Sequence, residues 1–560
     1  MTPDDDSPRA FELGLSLAGG VSCGAYTAGA IDFIVEALDA WQDARDRREV
    51  SAPNHRVVLR AVAGASSGAL TAAVLGAALQ HEIPPARFGA SEDEAHSNPL
   101  FDSWVNMTGL EDLLGTGDAS SSEGLRSILD PTRLDVVARK ALEFGANVKM
   151  RRRRWLADPF RIHFTVTNLR GVSFSLGRRD LDASGLRATI HGEVLRYAFT
   201  GLGRQPAPAP RADERAISMS DDDPSTRWDQ WGRDFATSAL ASSAFPLLLP
   251  SRRLKRPAGD YRDTPIVLAG GSCAPDEVLR MSPVSAAAQP DWYPFDGVDG
   301  GLIDNDPVDV VRDELNDRDP LACNPRGGDE TWRAVLMINP LLGGQDADAP
   351  PARNLSLSGA LPALLRALID QARSRPSDIA LAQREDIYSR FLVAPTLSGA
   401  PHSESSNSLA GSSLGGLGGY LCRAFRAHDY QLGRRNAQRV LADRLVLPQA
   451  HPIFRGWTPE QRARYATPAG DELPIIPLVG ELHPRRGREE ALPPWPLSQV
   501  EPRRFGPAID RRLQALYRAL IPGWWIRLLL YPLWRILVRW QIRNRLINAM
   551  VRGLRQHGLL

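Results

Sequence analysis

Twice within its first eighty residues the chain runs from a short apolar stretch through a glycine-rich turn into a long small-residue apolar segment. "FELGLSL" (residues 11–17) leads through "AGGVSCG" into "AYTAGAIDFIVEAL", and "RVVLRAVA" (residues 56–63) leads through "GASSG" into "ALTAAVLGAAL". Strand, turn and helix repeated in this order call for parallel strands joined by helical crossovers, which fixes the class as α/β. Further strands are expected at residues 160–169, 264–270 and 332–339, where β-branched and aromatic residues cluster. Residues 203–226 and 341–359 read as loops or insertions, and the Gly/Ser-rich stretch 397–419 reads as a mobile loop.

Composition excludes several classes. A formal net charge of +1 over 560 residues provides no global field for nucleic acid, so none is expected as a partner. Cys23, Cys273, Cys323 and Cys422 have no metal-ligand spacing, and neither do the ten histidines, so no metal or other cofactor is expected. The acidic start "MTPDDDSPRAF" lacks a secretory layout, and no uninterrupted apolar run is long enough for a clear membrane span. The expectation is a cytoplasmic protein, at most peripheral on the inner face of a membrane. Nothing in the sequence fixes an oligomeric state.

Three constellations could do chemistry. Gly64-Ala65-Ser66-Ser67-Gly68 places a serine at a strand-to-helix turn, where helix N–H groups face developing negative charge; an ordinary tight turn would look the same. Gly19, Gly20 and Val21, ahead of Gly24, could offer backbone N–H groups to an oxyanion. Their spacing fits neither a dinucleotide fingerprint nor a P-loop. Asp299-Gly300-Gly301 is an acidic turn whose carboxylate, if desolvated, could take a proton from a serine; Asp306 before Pro307 reads as a helix N-cap. A Ser–Asp–His triad is the competing arrangement, with His428 or His451 in the required chain order.

Taken together and in this order, the three resemble the patatin-like phospholipase family. "ATSALASSAFPLLLP" (residues 236–250) is similar to the alanine/serine-rich helix that the family places before its aspartate strand. The resemblance implies a three-layer α/β/α fold around a mainly parallel sheet. It also implies a Ser66–Asp299 dyad without histidine, an oxyanion held by the Gly19–Gly20–Val21 loop, and a lipid ester, phospholipid or lysophospholipid, as substrate. Gly24, Gly64, Gly68, Gly300 and Gly301 match the family's motif glycines. Val21 stands where the family has glycine and Cys23 where it has arginine. A catalytically silent lipid-binding or membrane-scaffolding protein, or an acyltransferase, would carry the same fold.

The expected organisation is a catalytic domain over residues 10–340, with insertions near 82–130 and 203–226. A loop-rich and helical elaboration follows over residues 341–504, packing on that domain. Residues 505–560 form a basic, aromatic, amphipathic helical tail that lacks Asp and Glu beyond residue 510. Trp524, Trp525, Arg527, Trp534, Arg535, Arg539, Trp540 and Arg543 are its candidate membrane-contacting residues; a helical pair covering the core is the alternative. Pro522 and Pro532 are expected to break it into shorter helices. Arg434 and Arg435 read as packing residues of a helix around His428.

Overall fold

The computed structural model describes residues 9–560 except 121–123, 146–147, 177–185, 220–222, 263, 269–275, 284–290, 343–356, 398–407 and 522. Its main sheet runs Arg390–Val393, Arg333–Ile338, Phe11–Leu17, Val57–Gly64, Arg153–Leu176, Trp292–Asp299, Arg252–Pro257. The first five strands are parallel; Trp292–Asp299 runs antiparallel to both its neighbours and shares one edge of Arg153–Leu176 with Val57–Gly64. The strand expected at residues 264–270 forms over Thr264–Leu268 and, among the described residues, pairs with Glu277–Pro283 away from the parallel core; residues 269–270 lie outside the described residues.

Alternation along the strands sorts side chains into two layers. Leu13, Leu15, Leu17, Leu336 and Ile338 join the core formed with helices Gly24–Asp46, Ser67–Ala78 and Arg423–Asp443. Ala63, Val335 and Met337 pack instead with Val308, Val311 and Leu315 of helix Val308–Leu315. Helices therefore cover both faces, as buried parallel strands require. Among the described residues, one helical stretch is long and apolar enough to cross a membrane, Val21–Asp46, and it is such a core element, its apolar window 89% buried.

Residues beyond 340 enter this core. Helix Arg423–Asp443 crosses helix Gly24–Asp46 through two glycines: a Cβ on Gly29 would lie 1.9 Å from the Tyr430 carbonyl oxygen, and one on Gly433 2.1 Å from that of Tyr26. Beside the crossing, Arg434 is fully buried and pairs with Asp32, Glu36 and Glu490. Burying four charges holds only because each finds a partner. Arg434 is thus a packing residue, while Arg435 pairs with Glu489 nearer the surface.

Two expectations need correction. The Gly/Ser-rich stretch read as mobile is, over residues 408–421, a packed wall: Ala410 and Gly411 amides donate to Asp429 at 2.9 and 2.8 Å, and Gly419 N–H to Ser22 Oγ at 2.9 Å. Its small side chains admit close backbone approach, and the hydrogen bonds replace those a loop would make to water. Residues 398–407 of that stretch lie outside the described residues. The tail, after helix Gly506–Leu520, does not break at Pro532. Helix Trp524–Leu533 passes through it into a wide turn over Trp534–Val538, where the Arg539 amide reaches Trp534 O, and on to Arg539–Gln556. Pro522 lies outside the described residues.

Gly29→Ala is expected to lower unfolding stability by about 1–3 kcal/mol through overpacking against a helix backbone. Gly259→Ala, whose Cβ would meet open space, should leave the thermal unfolding midpoint where it is.

Candidate active site

Two strands meet end to end on one edge of the long strand Arg153–Leu176. Val57–Gly64 pairs with it in parallel until Gly64 faces Phe164, and Trp292–Asp299 comes from the other direction until Asp299 faces Val166. The opposite edge is occupied by Leu186–Thr200. The strand termini therefore face one another across a gap, and Ser66 and Asp299 stand on its two sides.

Ser66 has φ 50° and ψ −122°, left-handed backbone that a non-glycine residue adopts only where its surroundings enforce it. The enforcement is visible. Its N–H donates to Ser242 Oγ at 2.9 Å, and its carbonyl accepts from Ser243 Oγ at 2.8 Å. Both serines end helix Arg233–Ser242 or directly follow it, in the alanine/serine-rich segment noted above. Gly64 and Gly68 lie back to back so that strand and helix can touch: a Cβ on Gly64 would sit 2.5 Å from the Gly68 backbone. Helix Ser67–Ala78 starts at the serine, and at its far end Arg227 and Arg153 donate to the Ala77 and Leu79 carbonyls. Cations there complement the helix dipole whose positive end faces Ser66.

Ser66 Oγ donates to Asp299 Oδ2 at 2.9 Å. The other carboxylate oxygen, Oδ1, accepts from Gly301 N–H at 2.7 Å, and the Asp299 carbonyl accepts from Thr167 Oγ1 at 2.8 Å. Burial pushes the carboxyl up to about 6, although the Gly301 and Ser66 hydrogen bonds pull it down. It is thereby a far better proton acceptor near neutrality than aspartate in water, and still ionised there. Gly300 is required by proximity, since its Cβ would lie 2.2 Å from Thr165 O.

Of the three expected oxyanion amides, two are already engaged. Gly19 N–H donates to Asn305 O at 3.1 Å, and Gly20 N–H to Ser67 Oγ at 2.7 Å. Ser67 thus anchors the glycine loop. Val21 N–H has no acceptor among the described residues, and Val21 lines the same cavity as Ser66 with φ 53°. For a β-branched residue that conformation is a strained outlier. Gly24 lies against the Trp104 ring, in place of any side chain.

Asn305 is the connection that sequence reading missed. Besides holding Gly19 N–H, it donates from Nδ2 to Gly19 O at 3.3 Å and Arg373 O at 3.4 Å, and its own N–H reaches Ala372 O. It ties the glycine loop, the Asp299 turn and the end of helix Leu357–Arg373 together. The clue was its position four residues after Gly301. Asp306 is not an N-cap: helix Val308–Leu315 begins after Pro307, and the Asp306 carboxyl turns inward to Ser16 and Asn339. Burial pushes that carboxyl up to about 7.

Ser66 and Asp299 open into a cavity of about 490 Å³ whose walls are mostly apolar. Trp104, Leu113 and Leu129 come from the first insertion, Phe245, Leu248 and Leu249 from the segment after the serines, and Leu417 and Tyr420 from the packed wall. A smaller apolar pocket of about 60 Å³ shares Leu70, Trp104, Leu134 and Tyr420 with it. Arg373 is the single cation in the cavity's lining among the described residues, beside Asp370 at 3.4 Å. No histidine lines it among those residues. His428 packs on Trp495 beside Asp429, and His451 bonds Thr331 O and caps Ile453, so neither forms a triad. Groups of three or more His, Cys, Asp or Glu that could hold a metal are absent among the described residues.

The tail residues divide. Trp524, Trp525, Arg535 and Trp540 are exposed, and helix Trp524–Leu533 buries none of its residues. Trp534 stacks on Tyr517, Arg539 and Arg543 pair with Asp510, and Arg527 donates to nearby carbonyls.

The sequence model of the patatin-like phospholipase family matches residues 15–312, more than half of the chain. The chain belongs to the patatin-like phospholipase family. At the level of that family it is a lipid acyl hydrolase, and its sheet with helices on both faces is the patatin fold. It is 32% identical over 566 residues to the "Uncharacterized protein y4iI" of Sinorhizobium fredii (strain NBRC 101917 / NGR234), covering 92% of this chain and 77% of that one. The crystal structure of VipD from Legionella pneumophila aligns over 78% of this chain and 69% of its own, at 13% identity and a TM-score of 0.20. The family match ends at residue 312, so Arg373 and the wall at 408–421 lie beyond it.

Labelling of Ser66 by a fluorophosphonate is expected to fall as pH drops through about 6, because Asp299 accepts the serine proton only while ionised. A labelling rate that stays flat between pH 5 and pH 8, roughly the span over which such a carboxyl titrates, would count against this role.

Proposed function

We propose that the protein hydrolyses the carboxylic esters of phospholipids or lysophospholipids through Ser66 and Asp299. The observation that carries this reading is the 2.9 Å hydrogen bond between a strained, buried serine and a desolvated carboxylate at the end of an apolar cavity. Asp299 takes the proton as Ser66 Oγ bonds to the ester carbonyl carbon. The carbonyl oxygen becomes an oxyanion held by the Val21 amide, which the Gly20 amide joins on releasing Ser67. Collapse breaks the bond to the leaving alcohol, which receives the proton from Asp299 and leaves an acyl-Ser66. Water then attacks, giving its proton to Asp299, and the acid departs as Ser66 recovers its hydroxyl hydrogen.

The acyl chain occupies the apolar walls, and Arg373 meets the phosphate of the head group. Arginine at this rim supplies a cation that Cys23 does not supply at the family's loop arginine position. The exposed tryptophans and arginines of the tail hold the protein on an anionic bilayer. Removing residues 505–560 would be a poor test, because Ile509, Leu554 and Leu559 form a buried cluster with Phe425 and Leu421.

Wild type should label with a fluorophosphonate and turn over a soluble chromogenic ester, whereas Ser66→Ala should not label. Asp299→Asn should lose about 10²–10⁴-fold in kcat; near-wild-type turnover in that variant would refute the dyad. Arg373→Gln should lower kcat/KM about tenfold or more on phospholipid, as loss of a charge-assisted contact does, and leave a neutral glyceride little changed. Trp524→Ser combined with Trp525→Ser should weaken sedimentation with anionic vesicles while sparing soluble-ester turnover.

A further inference from the structure

We infer that the cavity opens through an apolar collar that seats directly on the bilayer, a docking face separate from the exposed tail residues. The inference rests on the lipid-ester reading above. Three segments distant in sequence each place one residue in the cavity wall and its neighbour in solvent. Leu129 lines the cavity and Ile128 is 45% exposed; Leu248 lines it and Leu247 is 71% exposed; Ile369 lines it and Leu368 is 56% exposed. Leu364, one turn before Leu368, is 57% exposed on the same helix. Exposed leucines scattered singly need no explanation, but three that each adjoin a wall residue of one apolar cavity do.

The first two segments are held side by side. Ile128 N–H donates to Leu247 O at 2.8 Å, and Leu129 N–H to Leu248 O at 3.0 Å. Leu247 has φ 69°, so its backbone is kept in a left-handed conformation while its side chain stays in water. That strain contributes nothing to the core, and such outliers persist where the surroundings impose them for another purpose.

The occupant is a phospholipid bilayer. Behind the collar lies an apolar cavity, so an acyl chain leaving a membrane there would pass between apolar surfaces without crossing water. The collar is also joined to the basic tail. Arg512 of helix Gly506–Leu520 donates to Ile128 O at 2.7 Å and Ser127 O at 2.9 Å, and it pairs with Asp118. The same helix ends at the exposed Leu520, and no acidic residue follows Asp510 in the sequence. Collar and tail thus belong to one body, and a bilayer that attracts the arginines is brought to the cavity mouth.

The test is the full-length triple variant Ile128→Ser, Leu247→Ser and Leu368→Ser, compared with wild type on two substrates. On a soluble short-chain ester, and in fluorophosphonate labelling, the variant should match wild type within about twofold, since none of the three lines the cavity. On vesicles of phosphatidylcholine and phosphatidylglycerol, its hydrolysis and its sedimentation should fall about tenfold, as loss of buried interfacial leucines predicts. Unchanged vesicle hydrolysis, or an equal fall on both substrates, overturns the collar. So does a change in molar mass by light scattering, which would assign the face to contact between copies of the chain. Should wild type neither label nor turn over ester, the catalytic reading falls, while vesicle sedimentation still decides the collar.

Discussion

The hydrogen bond between Ser66 and Asp299 exists because two strands share one edge of a third and stop two residues apart. Gly64 opposite Phe164 and Asp299 opposite Val166 fix the separation through backbone ladders, not through side-chain flexibility. The rest of the site is arranged around that gap. Ser242 and Ser243 clamp the backbone of the elbow, Thr167 clamps that of Asp299, and Gly301 orients its carboxylate. Groups fixed in this way need little rearrangement when charge develops, which is the physical content of a preorganised site.

A second constraint lies in the glycine loop. Left-handed Val21 costs on the order of 1–3 kcal/mol, so its neighbours must over-determine it. They do so from both sides. Asn305 grips Gly19 through its carbonyl and its amide, Ser67 holds Gly20, and Ser22 Oγ bridges Gly416 O and Gly419 N–H of the wall at 408–421. Asn305 and Ser67 lie within the region that the family match spans, whereas Gly416 and Gly419, which hold Ser22, lie beyond it.

The sequence made the central sheet legible because its signals are local. The apolar stretches at residues 11–17 and 57–64 and the glycine spacings around Ser66 and Asp299 depend on neighbours a few residues away. What escaped depends on distant partners. Asn305 looks like any polar residue in an acidic turn until Gly19, some 286 positions earlier, is placed beside it. Arg373 reads as the last residue of an amphipathic helix until the helix end is docked on the cavity. The stretch after Ser408 has the composition of a flexible loop, and only Ser22 and Asp429 reveal why it is ordered. Pro532 misled for the opposite reason, since a local rule of helix breaking predicted an end where the helix runs on.

The glycine-to-glycine crossing of the first and late helices has a consequence during synthesis. Asp32 pairs with an arginine 402 residues downstream, and Gly29 waits for the Tyr430 backbone. At about 5–20 residues per second, translation of the intervening chain takes roughly 20–80 s. For that interval the first helix emerges from the ribosome with its crossing groove empty and the Asp32 carboxylate without its arginine. Such high contact order delays closure of the core until nearly the whole polypeptide is available. The nascent chain therefore spends most of its elongation time as an unfinished sheet, open to chaperones on the face that residues 423–443 will cover.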